Sequence, residues 1–201
     1  VWSAGHDVRE LPMPGRDPLG YDDPLVRVLR EIQHLPMPVL AMIDGSVWGG
    51  ACDVALTCDI LIGSEKAQFT MTPAKIGVPY NPSGLLRFMN ILDVNLAKEM
   101  FFTAQSLSAE RAHAVGILNH LVPSTELEAF TYELAERITR NSPLSIAATK
   151  ESFRLLGNAS PLPPNMFERI QGLRRAVYDS GDYKEGIQSF LERRPPVFKG
   201  E

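Results

Sequence analysis

The stretch Val39-Leu40-Ala41-Met42-Ile43-Asp44-Gly45-Ser46-Val47-Trp48-Gly49-Gly50-Ala51-Cys52-Asp53-Val54-Ala55-Leu56 decides the reading of the fold. Val39 to Ile43 is a short, continuous apolar run of the kind found in buried strands. Asp44-Gly45 turns the chain, and Ala51 to Leu56 begins a helix. A tight passage from a strand into a helix N-terminus leaves backbone amides pointing outward, where the helix dipole favours negative charge. Such a turn can hold a developing oxyanion. A packing turn whose glycines merely allow close approach has the same sequence, so this segment alone leaves both readings open. Neither nucleotide-binding fingerprint is present, although a local basic cluster could still serve one nucleotide-like ligand. There is no GxGxxG, and although Gly45 to Gly50 has the P-loop interval, Ala51-Cys52 follows where a phosphate loop needs Lys-Ser or Lys-Thr.

Working outward, Cys58-Asp59 precedes a second apolar run, Ile60-Leu61-Ile62, and a polar turn later comes Phe69 to Met71. Strand, helix, then strands is an α/β pattern. On the N-terminal side, Asp23-Pro24 is an N-cap and first-turn pair, and Leu25, Val28, Leu29 and Ile32 recur at helical spacing up to about His34. Leu35-Pro36-Met37-Pro38 breaks that helix. Pro73, Gly77, Pro79 and Pro82 predict a long loop, the kind of segment that carries function in a compact domain. From Leu85 the pattern is mostly helical. Ser108 caps a helix ending at Gly116, Ile117 to Val122 reads as a short strand, and Thr125 with Glu128 forms a capping box. Ser142-Pro143 opens a helix that Gly157 closes. Ser160 to Pro164 reads as a linker, and helices follow from about Asn165 and Asp182, the latter with Glu185 as a second capping box. The expected organisation is an α/β core over 1–141 and a helical region over 142–201.

Composition narrows the partners. The 201 residues include 20 Lys and Arg against 24 Asp and Glu, a net charge of −4, which argues against nucleic acid. Cys52 and Cys58 lack CxxC spacing and read as buried, reduced thiols. No apolar run reaches the ~20 residues of a membrane span and no signal peptide is evident, so the expectation is a cytoplasmic protein without a membrane partner. The chain opens at Val1 rather than Met, with no strand or cap before Trp2-Ser3-Ala4-Gly5-His6-Asp7.

Ser3 to Asp7 places a backbone amide in an open loop of small residues, so the interest of His6 lies in its main-chain N–H rather than its imidazole. His34, His113 and His120 show neither ligand spacing nor a nucleophile partner, so metal sites and a Ser/His/Asp triad lack support. Tyr80, in the proline-bounded loop, is either an amphipathic cover or a phenol able to donate a hydrogen bond into a site. Arg174-Arg175 and Arg193-Arg194 read as solvated faces or ion pairs.

Taken together, Trp2-Ser3-Ala4-Gly5-His6-Asp7, Gly45-Ser46-Val47-Trp48-Gly49-Gly50, Cys58-Asp59-Ile60 and Gly77-Val78-Pro79 resemble the crotonase (enoyl-CoA hydratase/isomerase) superfamily over essentially the whole chain. Within it, Met71-Thr72-Pro73, Gly77-Val78-Pro79-Tyr80-Asn81 and Arg174 to Ser180 are similar to the members that decarboxylate methylmalonyl-CoA. The resemblance implies a spiral of β-β-α units with C-terminal helices that build homotrimers, often paired into hexamers. It implies an acyl-CoA thioester substrate whose carbonyl oxygen is held by the amides of His6 and Gly50, with Tyr80 facing the substrate carboxylate. It further implies a substrate contact at Thr72, a loop of His6, Asp7, Val8, Arg9 and Glu10 lying along the acyl-CoA, and a basic residue at Arg193 contacting CoA, often from a neighbouring subunit, with Phe190 beside it. It also implies a core that begins several dozen residues before Val1, so the segment by itself is expected to be weakly stable and to bind CoA weakly.

The chemistry supports the same assignment. Losing CO2 from a malonyl-type thioester leaves an enolate whose charge two fixed amides can hold, with no metal, flavin or pyridoxal cofactor. Hydration needs a pair of acid/base groups, for which the hydratases use two glutamates. Here those positions carry Asp53, one methylene shorter, and Pro73, which cannot titrate. The expectation is decarboxylation of methylmalonyl-CoA to propionyl-CoA. The alternatives are a hydratase or isomerase working through Asp53 alone, and a non-catalytic acyl-CoA-binding subunit.

Overall fold

The computed structural model describes residues 1–11, 23–157 and 163–201. Asp23 accepts a hydrogen bond from the Leu25 amide and Pro24 fixes the first turn, so helix α1 occupies Pro24–His34 as its spacing predicts. The prolines that end it deliver the chain to β1 (Leu40–Ile43). There follow β2 (Ser46–Trp48), α2 (Gly50–Thr57), β3 (Ile60–Gly63) and β4 (Gln68–Thr70). β3 lies parallel to β1 with Ile60 opposite Leu40, and β4 lies parallel to β2 with Gln68 opposite Ser46. Each passage of the chain thus lays one strand in each of two sheets, and the next passage stacks on it. That is a β-β-α spiral, the expected fold. Ile43, Val47, Phe69 and Met71 are fully buried in one apolar core, which Leu61 joins.

Helices α3 (Pro82–Ile91) and α4 (Val94–Thr103) come next. Then β5 (Leu107–Ser108) extends the second sheet antiparallel to β4, α5 (Ala109–Ala114) follows, and β6 (His120–Leu121) extends the first sheet beside β3. Ser108 caps α5 by accepting from the Arg111 amide, as its sequence suggests. The chain continues through α6 (Leu127–Thr139), α7 (Pro143–Gly157), α8 (Pro164–Tyr178) and α9 (Gly181–Glu192). α9 returns to the α/β core, where Gly186 lies directly against the Ile76 carbonyl.

Several sequence expectations need correction. Ser46–Trp48 is a strand rather than part of a turn; three residues are too few for an alternation pattern, and pairing with β4 decides their conformation. The strand expected over 117–122 contracts to His120–Leu121. The loop after Pro73 contains a 3-10 turn, Pro73–Ile76, and ends where Asn81 caps α3. Thr125 and Glu128 form no capping box, because the Glu126 amide bonds the Pro123 carbonyl and the helix starts from that turn. Ser180, not Asp182, caps α9. Asp182 instead accepts from the Lys199 and Gly200 amides, and Glu185 pairs with Arg194. Arg174 is buried, donating to Gln171 and lying over the Tyr178 ring, rather than solvated. Cys52 is buried as expected, Cys58 only partly. Residues 160–162 of the expected linker fall outside the described residues.

Candidate active site

Trp2 and Ser3 run beside β2. The Trp2 and Ser3 amides donate to the Ser46 carbonyl at 2.9 and 3.2 Å, and the Trp48 amide donates to the Ser3 carbonyl at 3.1 Å. Ser3 and Val47 are paired in parallel. The two segments therefore leave their ladder at the same level, one through Gly5 and the other through Gly49. Gly5 sits at φ +83° and Gly49 at φ +53°, in the region that side chains rarely enter. A side chain on Gly5 would strike the Trp48 carbonyl oxygen, and its Cβ would lie 3.3 Å from the Gly50 amide nitrogen. A Cβ on Gly50 would lie 3.7 Å from the His6 amide nitrogen. The His6 and Gly50 amides thus front one small space. Among the described residues, neither donates a hydrogen bond. The packing-turn reading of the glycines accounts for the close approach, but not for two buried-edge donors left facing a cavity.

That cavity holds about 680 Å3. Its wall brings together His6, Asp7, Val8, Gly50, Thr72 and Tyr80, six of the residues expected from sequence. Thr72 stands ahead of the 3-10 turn without capping it, so its hydroxyl is not spent on the backbone there. Arg9 and Glu10 are not on the wall. Arg9 turns outward to pair with Asp7 at 2.7 Å, and that guanidinium holds the Asp7 carboxyl down at about 2. Arg193, expected to contact CoA often from a neighbouring subunit, ends α9 in a left-handed conformation, is exposed and does not line this chain's own cavity, whereas Phe190 reaches the wall. Lys75 also lines the cavity, from the 3-10 turn; no motif in the sequence singled it out. A second cavity of about 710 Å3 lies between α1, α3 and α7. Its Lys150 ammonium is already held by Asp59 at 2.7 Å and by the Ile32 and Met37 carbonyls, so it offers no free cation.

Asp53 does not serve as a free acid or base in this arrangement. Its carboxylate has no exposed surface and lies on α2, one turn beyond Gly50. Arg87 on α3 grips it with a fork, Nε to Oδ1 at 2.7 Å and Nη2 to Oδ2 at 2.9 Å. The Tyr80 hydroxyl donates to Oδ2 at 2.9 Å. Tyr80 reaches the cavity as expected, but its proton points to Asp53, which corrects the expectation of a phenol donating into the site. Burial, reinforced by the Asp53 charge and hydrogen bond, pushes the phenol well above the usual tyrosine range, so it stays neutral. The ring is wedged against Phe101, centroids 5.1 Å apart, and Phe101 meets Phe88 edge-on at 4.9 Å. Arg87 and Gly84 escaped sequence reading. The available signal was their i, i+3 spacing, which puts both on the face of α3 turned toward α2.

With the spiral fold and paired amides described, the family is clear: residues 1–201 match the enoyl-CoA hydratase/isomerase model, and the chain belongs to that family. Methylmalonyl-CoA decarboxylase of Escherichia coli is 50% identical over 200 residues, covering 100% of this chain and 77% of that protein. Carnitinyl-CoA dehydratase of Salmonella typhi is 34% identical, covering 99% of this chain and 77% of that protein. Among solved structures, methylmalonyl-CoA decarboxylase in complex with 2-nitronate-propionyl-CoA superposes with a TM-score of 0.97 at 50% identity, covering 99% of this chain and 76% of that one. An enoyl-CoA hydratase from Mycobacterium avium subsp. paratuberculosis gives 0.74 at 26% identity, covering 90% of this chain and 74% of that one. Among the described residues, no helix is long and apolar enough to cross a membrane.

Proposed function

We propose that the protein is a carboxy-lyase that converts methylmalonyl-CoA to propionyl-CoA without a cofactor. The observation that carries this reading is the pair of uncommitted amides, His6 and Gly50, opening on one cavity with a neutral phenol on its wall. The thioester oxygen sits between the amides. The bond from the α-carbon to the carboxylate breaks, its electron pair enters the enolate, and neutral CO2 leaves. The negative charge grows on the thioester oxygen, where each preorganised donor contributes about 3 to 4 kcal/mol in comparable sites. One proton added to the α-carbon completes propionyl-CoA. The substrate supplies its own electrons, so no metal or redox group takes part in this scheme.

Hydration is disfavoured by the same residues. Asp53 is locked by Arg87 and Tyr80, and Pro73 stands at the other glutamate position, so neither can activate water. The identity to a methylmalonyl-CoA decarboxylase agrees with this reading. The test is side-by-side turnover of methylmalonyl-CoA and crotonyl-CoA by the purified protein. CO2 release from the first with negligible hydration of the second is expected; rapid hydration with no CO2 would contradict it. Assembly into a trimer, or a pair of trimers, belongs to the same proposal, as does placement in the cytoplasm. Apolar side chains left exposed on α8 and α9, including Leu173, Phe190 and Leu191, support the assembly.

A further inference from the structure

We propose that Arg87 is a positioning residue for the decarboxylation step, acting through Asp53 to keep the Tyr80 proton turned away from the substrate carboxylate. The inference rests on the decarboxylase reading and goes beyond it, because Arg87 is not on the cavity wall. Its argument is geometric. A phenol has one proton, and Tyr80 gives it to Asp53 Oδ2 at 2.9 Å. Arg87 holds both oxygens of that carboxylate in a fork, fixing the plane in which Oδ2 accepts. The Asp53 side chain is fully buried and the Arg87 side chain 17% exposed, so water competes little for either. Gly84 completes the fit. A side chain there would collide with the Tyr80 ring and stand 3.0 Å from Asp53 Oδ2. Asp53, Arg87 and the Cys52 thiol act on the phenol, and His6, Asp7 and Lys75 share the cavity wall with it.

The consequence is electronic. With its proton committed, the Tyr80 oxygen presents only lone pairs to whatever sits in the cavity. A substrate carboxylate placed there receives no hydrogen bond from it. As the carbon–carbon bond breaks, negative charge leaves the carboxylate for the thioester oxygen, and the departing group becomes neutral CO2, which a lone pair tolerates. The interaction therefore raises bound substrate relative to the transition state, and losing it lowers kcat and KM together.

The experiment is steady-state decarboxylation by Arg87→Met and Arg87→Lys, each in the wild-type and Tyr80→Phe backgrounds. Arg87→Met is expected to lower kcat by about tenfold to a hundredfold and to lower KM with it, and to change either by less than about twofold when Tyr80 is already Phe. Arg87→Lys keeps the charge but not the fork, and is expected to lose less than Arg87→Met, again only where Tyr80 is present. An unchanged kcat, a kcat loss with KM unchanged or raised, or the same loss in both backgrounds would overturn the proposal. Arg87→Lys carries the test if Arg87→Met does not fold. A second readout needs no turnover: the 13Cζ resonance of Tyr80 in tyrosine-labelled protein, assigned with Tyr80→Phe, should shift in Arg87→Lys. A wild-type protein that releases no CO2 yet shows this shift refutes the decarboxylase reading and leaves the positioning intact; an unmoved resonance refutes the positioning itself.

Discussion

Gly5 is the residue on which the paired amides depend. Its positive φ and the missing Cβ let the His6 amide stand beside that of Gly50, and both conditions fail for alanine. Gly5→Ala is expected to push the Ser3–His6 segment off the Trp48 carbonyl and reduce kcat by about a hundredfold or more, the order seen when one oxyanion donor is lost. Steady-state kinetics with methylmalonyl-CoA checks this; an unchanged kcat would show that His6 is not a donor. At this scale the sequence was informative about main-chain chemistry, because Ser3 to His6 and Gly45 to Gly50 announce exposed amides through their small residues. It was less informative about side chains. Tyr80 was visible, but whether its proton faced the cavity depended on Asp53 and Arg87, which lie 27 and 7 residues away in sequence and meet only through tertiary packing.

Helix α2 shows how an element links the site to stability. Gly50 at its first position supplies an amide, Asp53 one turn later supplies the anchor for Tyr80, and Cys52 between them faces the core. Burial pushes the Cys52 thiol up from 9.0 to about 12, and Cys58, at the C-terminal end, up to about 11. The raised thiols bind protons more tightly in the folded state than in the unfolded chain. Stability is therefore full below pH 9 and falls as pH rises toward 12, by about 1.4 kcal/mol per pH unit for Cys52. Tyr80 adds in the same direction above its ordinary value of 10.0. Urea midpoints at about pH 8 and about pH 10.5 should differ less in Cys52→Ala than in the parent; equal drops would contradict the assignment. Elements with apolar runs, such as β1 and β3, were legible because burial dictates their composition. β2 and β5 were not, since two or three residues have no period and are strands only because a neighbour pairs with them.

The molecule as a whole leaves its C-terminal helices half-covered. Tyr178 and Tyr183 are buried against each other, centroids 4.9 Å apart, while Leu173, Phe190 and Leu191 on the same two helices are more than half exposed. Which apolar residues of these helices pack inward depends on how α9 crosses the Pro73–Ile76 turn, a tertiary contact that helical spacing does not encode. Sedimentation equilibrium is expected to give the mass of a trimer or of two trimers, and a monomer at working concentration would contradict the assembly proposed. The central claim, however, is that the thioester oxygen lies between two amides, and infrared difference spectroscopy with carbonyl-13C propionyl-CoA reads that oxygen directly. The account predicts a bound carbonyl stretch shifted to lower frequency than in solution and restored toward the solution value in Gly5→Ala. A stretch unshifted on binding, in a protein shown to hold the ligand, would contradict it.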